Sequence, residues 1–197
     1  MALKLNLTIE QGHTFQKVVR WQAPTLVYRA ITGMARSGPA RVTAIAHGIP
    51  EGWPVAVVDA LGMTELNAGS QPPTGSDFRR ATVVDEDTVE FNEVSSANFK
   101  VYKSGGYLVF HAPLDLTGFT ARLVVKSKVG GEVLFEMTTE NGRITINEGD
   151  RTITLDISAV ETGALEWKAG VYDLDLIAPS GAITPLLAGA VTVTPHN

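Results

Sequence analysis

Four groups of residues in this 197-residue chain are of types that could do chemistry. Asp85, Glu86 and Asp87 place three oxygen donors in a row, which suits a hard cation such as calcium. The run lacks the alternating donors and the glycine of calcium loops, so a solvated turn is the preferred reading. Asp173 and Asp175 lie two apart, a pairing of the kind that cleaves glycosidic bonds. The wet face of an amphipathic strand produces the same spacing, and that reading is preferred. The histidines His13, His47, His111 and His196 are far apart and form no i,i+4 pair. They are read as turn or surface residues and not as metal ligands. Trp53, Tyr102, Tyr107 and Phe110 could build a platform for a sugar, although aromatics at this spacing more often fill the core of a small barrel.

The chain contains no cysteine, which removes disulfides, thiolate nucleophiles and Cys-ligated zinc. There is no G-x-S-x-G elbow and no phosphate-binding glycine loop. No catalytic, cofactor-binding or metal-binding residue is therefore assigned, and the chain is not expected to be an enzyme.

The elements around these residues read as strands. Leu3, Leu5, Leu7 and Ile9 alternate with Lys4, Asn6, Thr8 and Glu10, the period of a strand with one buried face. After Gln11-Gly12 the pattern resumes with Phe15, Val19 and Trp21. Between Ala23 and Ala112 lie six short β-type runs, at 27–31, 41–46, 55–58, 81–84, 89–91 and 107–110, separated by turn formers. The Asn67 to Asp77 stretch is rich in Gly, Pro and Ser and is expected to be a long mobile loop. From Pro113 the alternation returns. Phe119, Ala121, Leu123 and Val125 share one face, the Asn147 to Asp150 stretch turns a hairpin, and Tyr172, Leu174 and Leu176 form an inward row. Ser158 with Glu161 three residues on has the spacing of a capping box, so a short helix is expected over 159–165. Pro185 cannot donate to a ladder and belongs at an edge or bulge.

Composition agrees with a folded protein. The apolar fraction is 44%, the charged fraction 19% and the net charge -5, which argues against a nucleic-acid footprint because the 16 basic residues are scattered. The opening MALKLNLTIE alternates and does not set a basic region before an apolar run, so it is not read as a signal peptide. No apolar run approaches the ~20 residues needed to span a bilayer. Synthesis and folding in the cytoplasm are expected.

The outer parts of the chain carry the strings LNLTIEQGHTFQKVVRW, PLDLTGFTARLVVKS, TTENGRITI, ITLDISAVETGAL, VYDLDLIAPSG and LLAGAVTVTP. In this order they resemble small phage tail and baseplate proteins similar to the N-terminal domain of upper-baseplate proteins. The middle carries AITGMARSGPARVTAIAHGIPEGWPVAVVDALGMTELN, ATVVDEDTVEFNEV and YKSGGY, which resemble a small β module found in phage tail proteins. It departs from that pattern between Asn67 and Arg80, where a longer polar loop replaces a short turn.

The resemblance implies an all-β protein with a discontinuous β-sandwich host domain, 1–22 with 113–197, and a small β-barrel or sandwich inserted at 23–112. It further implies a structural protein of a phage tail tip or baseplate, located in the virion, multimeric there and contacting other tail or baseplate proteins. Pairing of a sheet edge, through the N-terminal strand or the Pro185 to Val193 segment, is the expected mode of contact. A carbohydrate- or receptor-binding tail module with host-surface glycan as ligand is the alternative, and a polysaccharide-degrading enzyme ranks last. Neither nucleic acid nor membrane insertion is expected.

Overall fold

The structure, a computed structural model, describes residues 3–195, so His196 lies outside the described residues. In chain order the first strands are β1 (Leu3–Lys4), β2 (Leu7–Glu10) and β3 (Phe15–Arg20). Then come β4 (Gln22–Ala30), β5 (Gly33–Ala35), β6 (Ala40–Thr43), β7 (Pro54–Val58), β8 (Arg79–Arg80), β9 (Thr82–Val83), β10 (Thr88–Phe91) and β11 (Tyr107–Pro113). The remainder is β12 (Thr120–Lys126), β13 (Val133–Thr138), β14 (Ile144–Asn147), β15 (Thr152–Ile157), the helix α1 (Ala159–Gly163), β16 (Ala169–Ile177) and β17 (Ile183–Thr194). The protein is all-β, with α1 as its single short α-helix among the described residues.

The chain divides into two compact units, an outer one up to Trp21 and from Asp115 onward, and an inner one, Gln22–Leu114. These divisions fall within two residues of the boundaries read from the sequence. Gln22 and Pro113 join the inner unit because they are register partners across β4 and β11, so its two ends meet in one strand pair.

The outer unit is a sandwich of two sheets. The larger has the order β1-β17-β16-β12-β13, with β2 also on β17, and the smaller has the order β14-β15-β3. Strand alternation selects the core: Leu123 and Val125 from β12, Tyr172, Leu174 and Leu176 from β16, and Ile153 and Leu155 from β15 are all buried in one cluster. Leu5, Phe15, Trp21 and Phe135 pack against it from its margins, and Trp21 meets the Phe119 ring edge-on at 6.0 Å. Ser158 accepts from the backbone N–H of Glu161, whose carboxylate accepts from the N–H of Ser158, so α1 starts with the expected capping box and ends two residues sooner, at Gly163.

The N-terminal row is only half right. Leu7 and Ile9 are buried, but Leu3 is 71% exposed. The strand breaks at Leu5-Asn6, where the Tyr172 hydroxyl donates to the Leu5 carbonyl at 2.7 Å and the Asn6 side chain accepts from the N–H of Ala190. Gly189 permits this approach, since a Cβ there would stand 2.0 Å from the Leu5 carbonyl oxygen. Gly189→Ala is expected to cost at least the ~1–3 kcal/mol of an overpacked core and to loosen β1 and β2 first. Faster amide exchange in β2 than in β15 of the variant checks this.

The edge assignment for Pro185 to Val193 needs correction. β17 lies between β16 and the two N-terminal strands, with Leu187 opposite Leu3 and Val191 opposite Leu7, both in parallel register. Its main-chain groups from Leu187 onward therefore face neighbours on both sides. Pro185 itself sits opposite Asp175 beside the register shift in the β16–β17 pair, where its missing N–H does least harm.

The inner unit has two four-stranded sheets, β5-β6-β10-β9 and β4-β11-β7-β8, closed over their own core. Trp53, Val55, Val57, Phe91, Leu108 and Phe110 are its main buried residues. The 67–80 loop is more organised than its composition implies. Asp77 gathers it by accepting from the backbone N–H groups of Gly69 and Thr74 and from the Ser70 hydroxyl, and a 3-10 turn closes at Gly75–Asp77. These hydrogen bonds, led by that from Ser70, hold the Asp77 pKa down at about 2.

Because the ends of the inner unit meet, a chain in which a short linker joins Trp21 to Asp115 is expected to fold as a β sandwich. Dispersed amide resonances and a cooperative melt are the expected result. A collapsed, undispersed spectrum would show that the outer core depends on the inner unit.

Candidate functional site

The polar residues singled out in the sequence mostly serve the fold. Asp85 accepts from the N–H of Asp87, and Asp87 accepts from the N–H of Ala46. Their oxygens close a turn, and no group of three potential metal ligands occurs among the described residues. His47 is not a surface residue: it is 2% exposed, its Nδ1 accepts from the N–H of Ile49 at 2.9 Å, and its Nε2 lies 3.1 Å from the Asp85 carbonyl. With Nδ1 as acceptor, Nε2 carries the proton and donates to that carbonyl. The ring is a structural tie between two loops. His111 contacts the Ala23 carbonyl through Nδ1 at 3.0 Å and lies against the Phe78 ring, whereas His13 is exposed beside Glu10 at 3.7 Å.

Asp173 and Asp175 alternate with the buried Tyr172, Leu174 and Leu176, so they occupy the outer face of β16. Burial pushes the Asp175 carboxyl up, and the neighbouring charge of Asp173 adds to this. Arg122, register partner of Asp175 across β12, opposes the shift, and its guanidinium is ion-paired to Glu136 on β13. The pair belongs to a strip of alternating charges on a sheet face.

Of the four aromatics, Trp53 and Phe110 are core residues, and the Trp53 indole donates to the His111 carbonyl at 2.8 Å. The Tyr102 hydroxyl is held by the carbonyls of Ile31 and Gly105. Only Tyr107 presents its ring, 43% exposed, edge-to-face with Tyr28 at 6.1 Å. Sequence reasoning missed Tyr28. It comes next to Tyr107 because Tyr28 is the partner of Val109, two residues along β11 from Tyr107.

One concave site lies in the outer unit, among residues that no catalytic or binding motif marked. A cleft of about 390 Å³ opens between β13 and the segment after α1, and Phe135, Arg143, Glu161, Leu165, Glu166 and Trp167 line it. Arg143 organises one wall: its guanidinium lies over the Phe135 ring, 4.9 Å from the centroid. It also binds Glu161 at 2.8 Å and donates to the Glu136 carbonyl at 3.2 Å. Trp167 lines both this cleft and a second of about 300 Å³ lined in part by Gln11, Lys168 and Val193. Its indole N–H is closed off from solvent and has no acceptor. Glu166 faces both clefts and forms no ion pair among the described residues.

Glu161 is electrostatically set apart. Hydrogen bonds from the Ser158 hydroxyl and Arg143 lead in holding its carboxyl at about 2, against an ordinary 4.5. A depressed carboxyl stabilises the fold fully above its unfolded pKa, and that contribution is lost as pH falls from about 4.5 through about 2. Wild type is expected to melt above Glu161→Gln at pH 7, with the gap closing by pH 2. A gap independent of pH would assign the effect to lost packing.

Glu166 and Trp167 lie in the strand-poor EWK segment after the capping box, where neither period nor motif marks a site. The one sequence signal in the cleft was Glu161, read as the partner of the Ser158 cap in a capping box, which the structure contains. No family model and no curated protein matches the chain.

Proposed function

We propose that the chain is a structural protein of a bacteriophage tail tip or baseplate, carried in the virion after synthesis in the host cytoplasm. The outer β unit docks into the assembly, and the inner unit is presented to neighbouring subunits or to the host surface. The observation that supports this is the coincidence of two boundaries. The strings that resemble one kind of tail protein lie in the outer unit, apart from Pro113 and Leu114, and those that resemble the tail module lie in the inner one. Each unit has a separate core, as two modules with separate histories require. The polar side chains singled out in the sequence are spent on turns, caps and ion pairs, which suits a scaffold.

Quantitative mass spectrometry of purified particles, split into head and tail fractions, tests the reading. The chain is expected in the tail fraction in multiple copies per particle. Complete, infectious particles from a deletion mutant, with the chain absent from the tail fraction, would refute it.

A second reading, a carbohydrate-binding module, is favoured by the exposed Tyr28–Tyr107 pair, since stacked sugars need accessible rings. Binding on a glycan array that disappears in Tyr107→Ala would support it. No binding at millimolar sugar would remove it.

A further inference from the structure

From the Trp167 cleft we infer a docking pocket for an arginine side chain of a partner protein. The cleft already holds one guanidinium. Arg143 lies flat over Phe135 with Glu161 as its counter-ion, an aromatic face and a carboxylate acting together. The same lining holds a second pair of these components without a cation: Trp167 supplies an aromatic ring and Glu166 a carboxylate. Charge points the same way. The lining carries two carboxylates, Glu161 and Glu166, and one cation, Arg143, which is fully engaged by Phe135, Glu161 and the Glu136 carbonyl. One positive charge balances the site.

The volume, about 390 Å³, admits a long side chain with part of its backbone, and Leu134, Ala164 and Leu165 offer apolar surface for its methylenes. Trp167 is held in place by packing against the outer core while it still lines both clefts. A planar, weakly hydrated guanidinium stacks on an indole better than an ammonium does, so arginine is preferred over lysine. A neutral side chain of the same shape loses both the cation–π attraction and the charge pairing. The pocket goes beyond the tail-protein reading and does not depend on it.

The test uses the full chain, labelled with nitrogen-15, and three blocked tripeptides, Gly-Arg-Gly, Gly-Lys-Gly and Gly-citrulline-Gly. The arginine peptide is expected to shift the Trp167 indole resonance and the Glu166 amide at millimolar concentration, the lysine peptide severalfold less, and the citrulline peptide not at all. Glu166→Gln, an exposed and nearly isosteric change, is expected to weaken the arginine peptide about tenfold, and added salt to weaken it further. Trp167→Phe, with melting monitored to show that it folds, is expected to reduce binding while keeping the arginine preference. Equal shifts from arginine and citrulline would overturn the inference. So would shifts scattered over the acidic surface without Trp167, or binding unchanged in Glu166→Gln. The localisation of the chain in a virion affects none of these outcomes.

Discussion

Trp53→Ala is expected to destabilise the inner unit by about 3–5 kcal/mol, the largest loss from any single truncation in that unit. Trp53 is fully buried immediately before β7, packed in the cluster that includes Val55, Val57, Leu108 and Phe110. Truncation opens a cavity in a core with few residues to spare, and it leaves the His111 carbonyl without the indole N–H that now lies 2.8 Å away. Trp53→Phe separates the two costs, since it restores most of the volume but not the donor. The phenylalanine variant is expected to recover more than half of the loss. Chemical denaturation followed by amide exchange in β6, β10 and β11 is the measurement. A loss below ~1 kcal/mol for the alanine variant would mean that the site collapses around the missing ring.

Leu174→Ala is expected to cost the outer unit about 2–5 kcal/mol. Leu174 is fully buried at the centre of β16, with Leu123 of β12 opposite it on one side and Leu187 of β17 on the other. A central position flanked on both sides by ladder partners cannot relax as a margin residue can, so the upper part of the range is expected. Leu5→Ala, partly buried at the margin of the same cluster, should cost clearly less. Exchange rates of the β12 and β15 amides measure both. A Leu174→Ala effect within ~0.5 kcal/mol, typical of exposed sites, would contradict the assigned face of β16. Because each core is drawn from its own unit, Trp53→Ala and Leu174→Ala are expected to be additive within experimental error.

By itself the sequence determined the strand-rich class, the inward rows and the turns, because these depend on local periods. The alternation of Leu123 and Val125, and of Tyr172, Leu174 and Leu176, allows only one buried face per strand, and those faces are the ones in the core. The cap at Ser158 and Glu161 and the hairpin between β14 and β15 are equally local. Tertiary structure decided what depends on partners distant in the chain. The N-terminal strands were legible as strands, but their parallel seat along β17 rests on residues some 180 positions away, and this removes much of β17 as an edge. His47 looked like a turn histidine because its burial comes from Asp85, 38 residues on. The cleft was invisible for the same reason. Phe135, Arg143, Glu161 and Trp167 lie on four separate segments, and each has an ordinary local role, so only their convergence makes an aromatic and acidic pocket. Local periodicity reports which face of an element is wet or dry. It carries no record of which distant side chains meet where two sheets and a helix leave a gap.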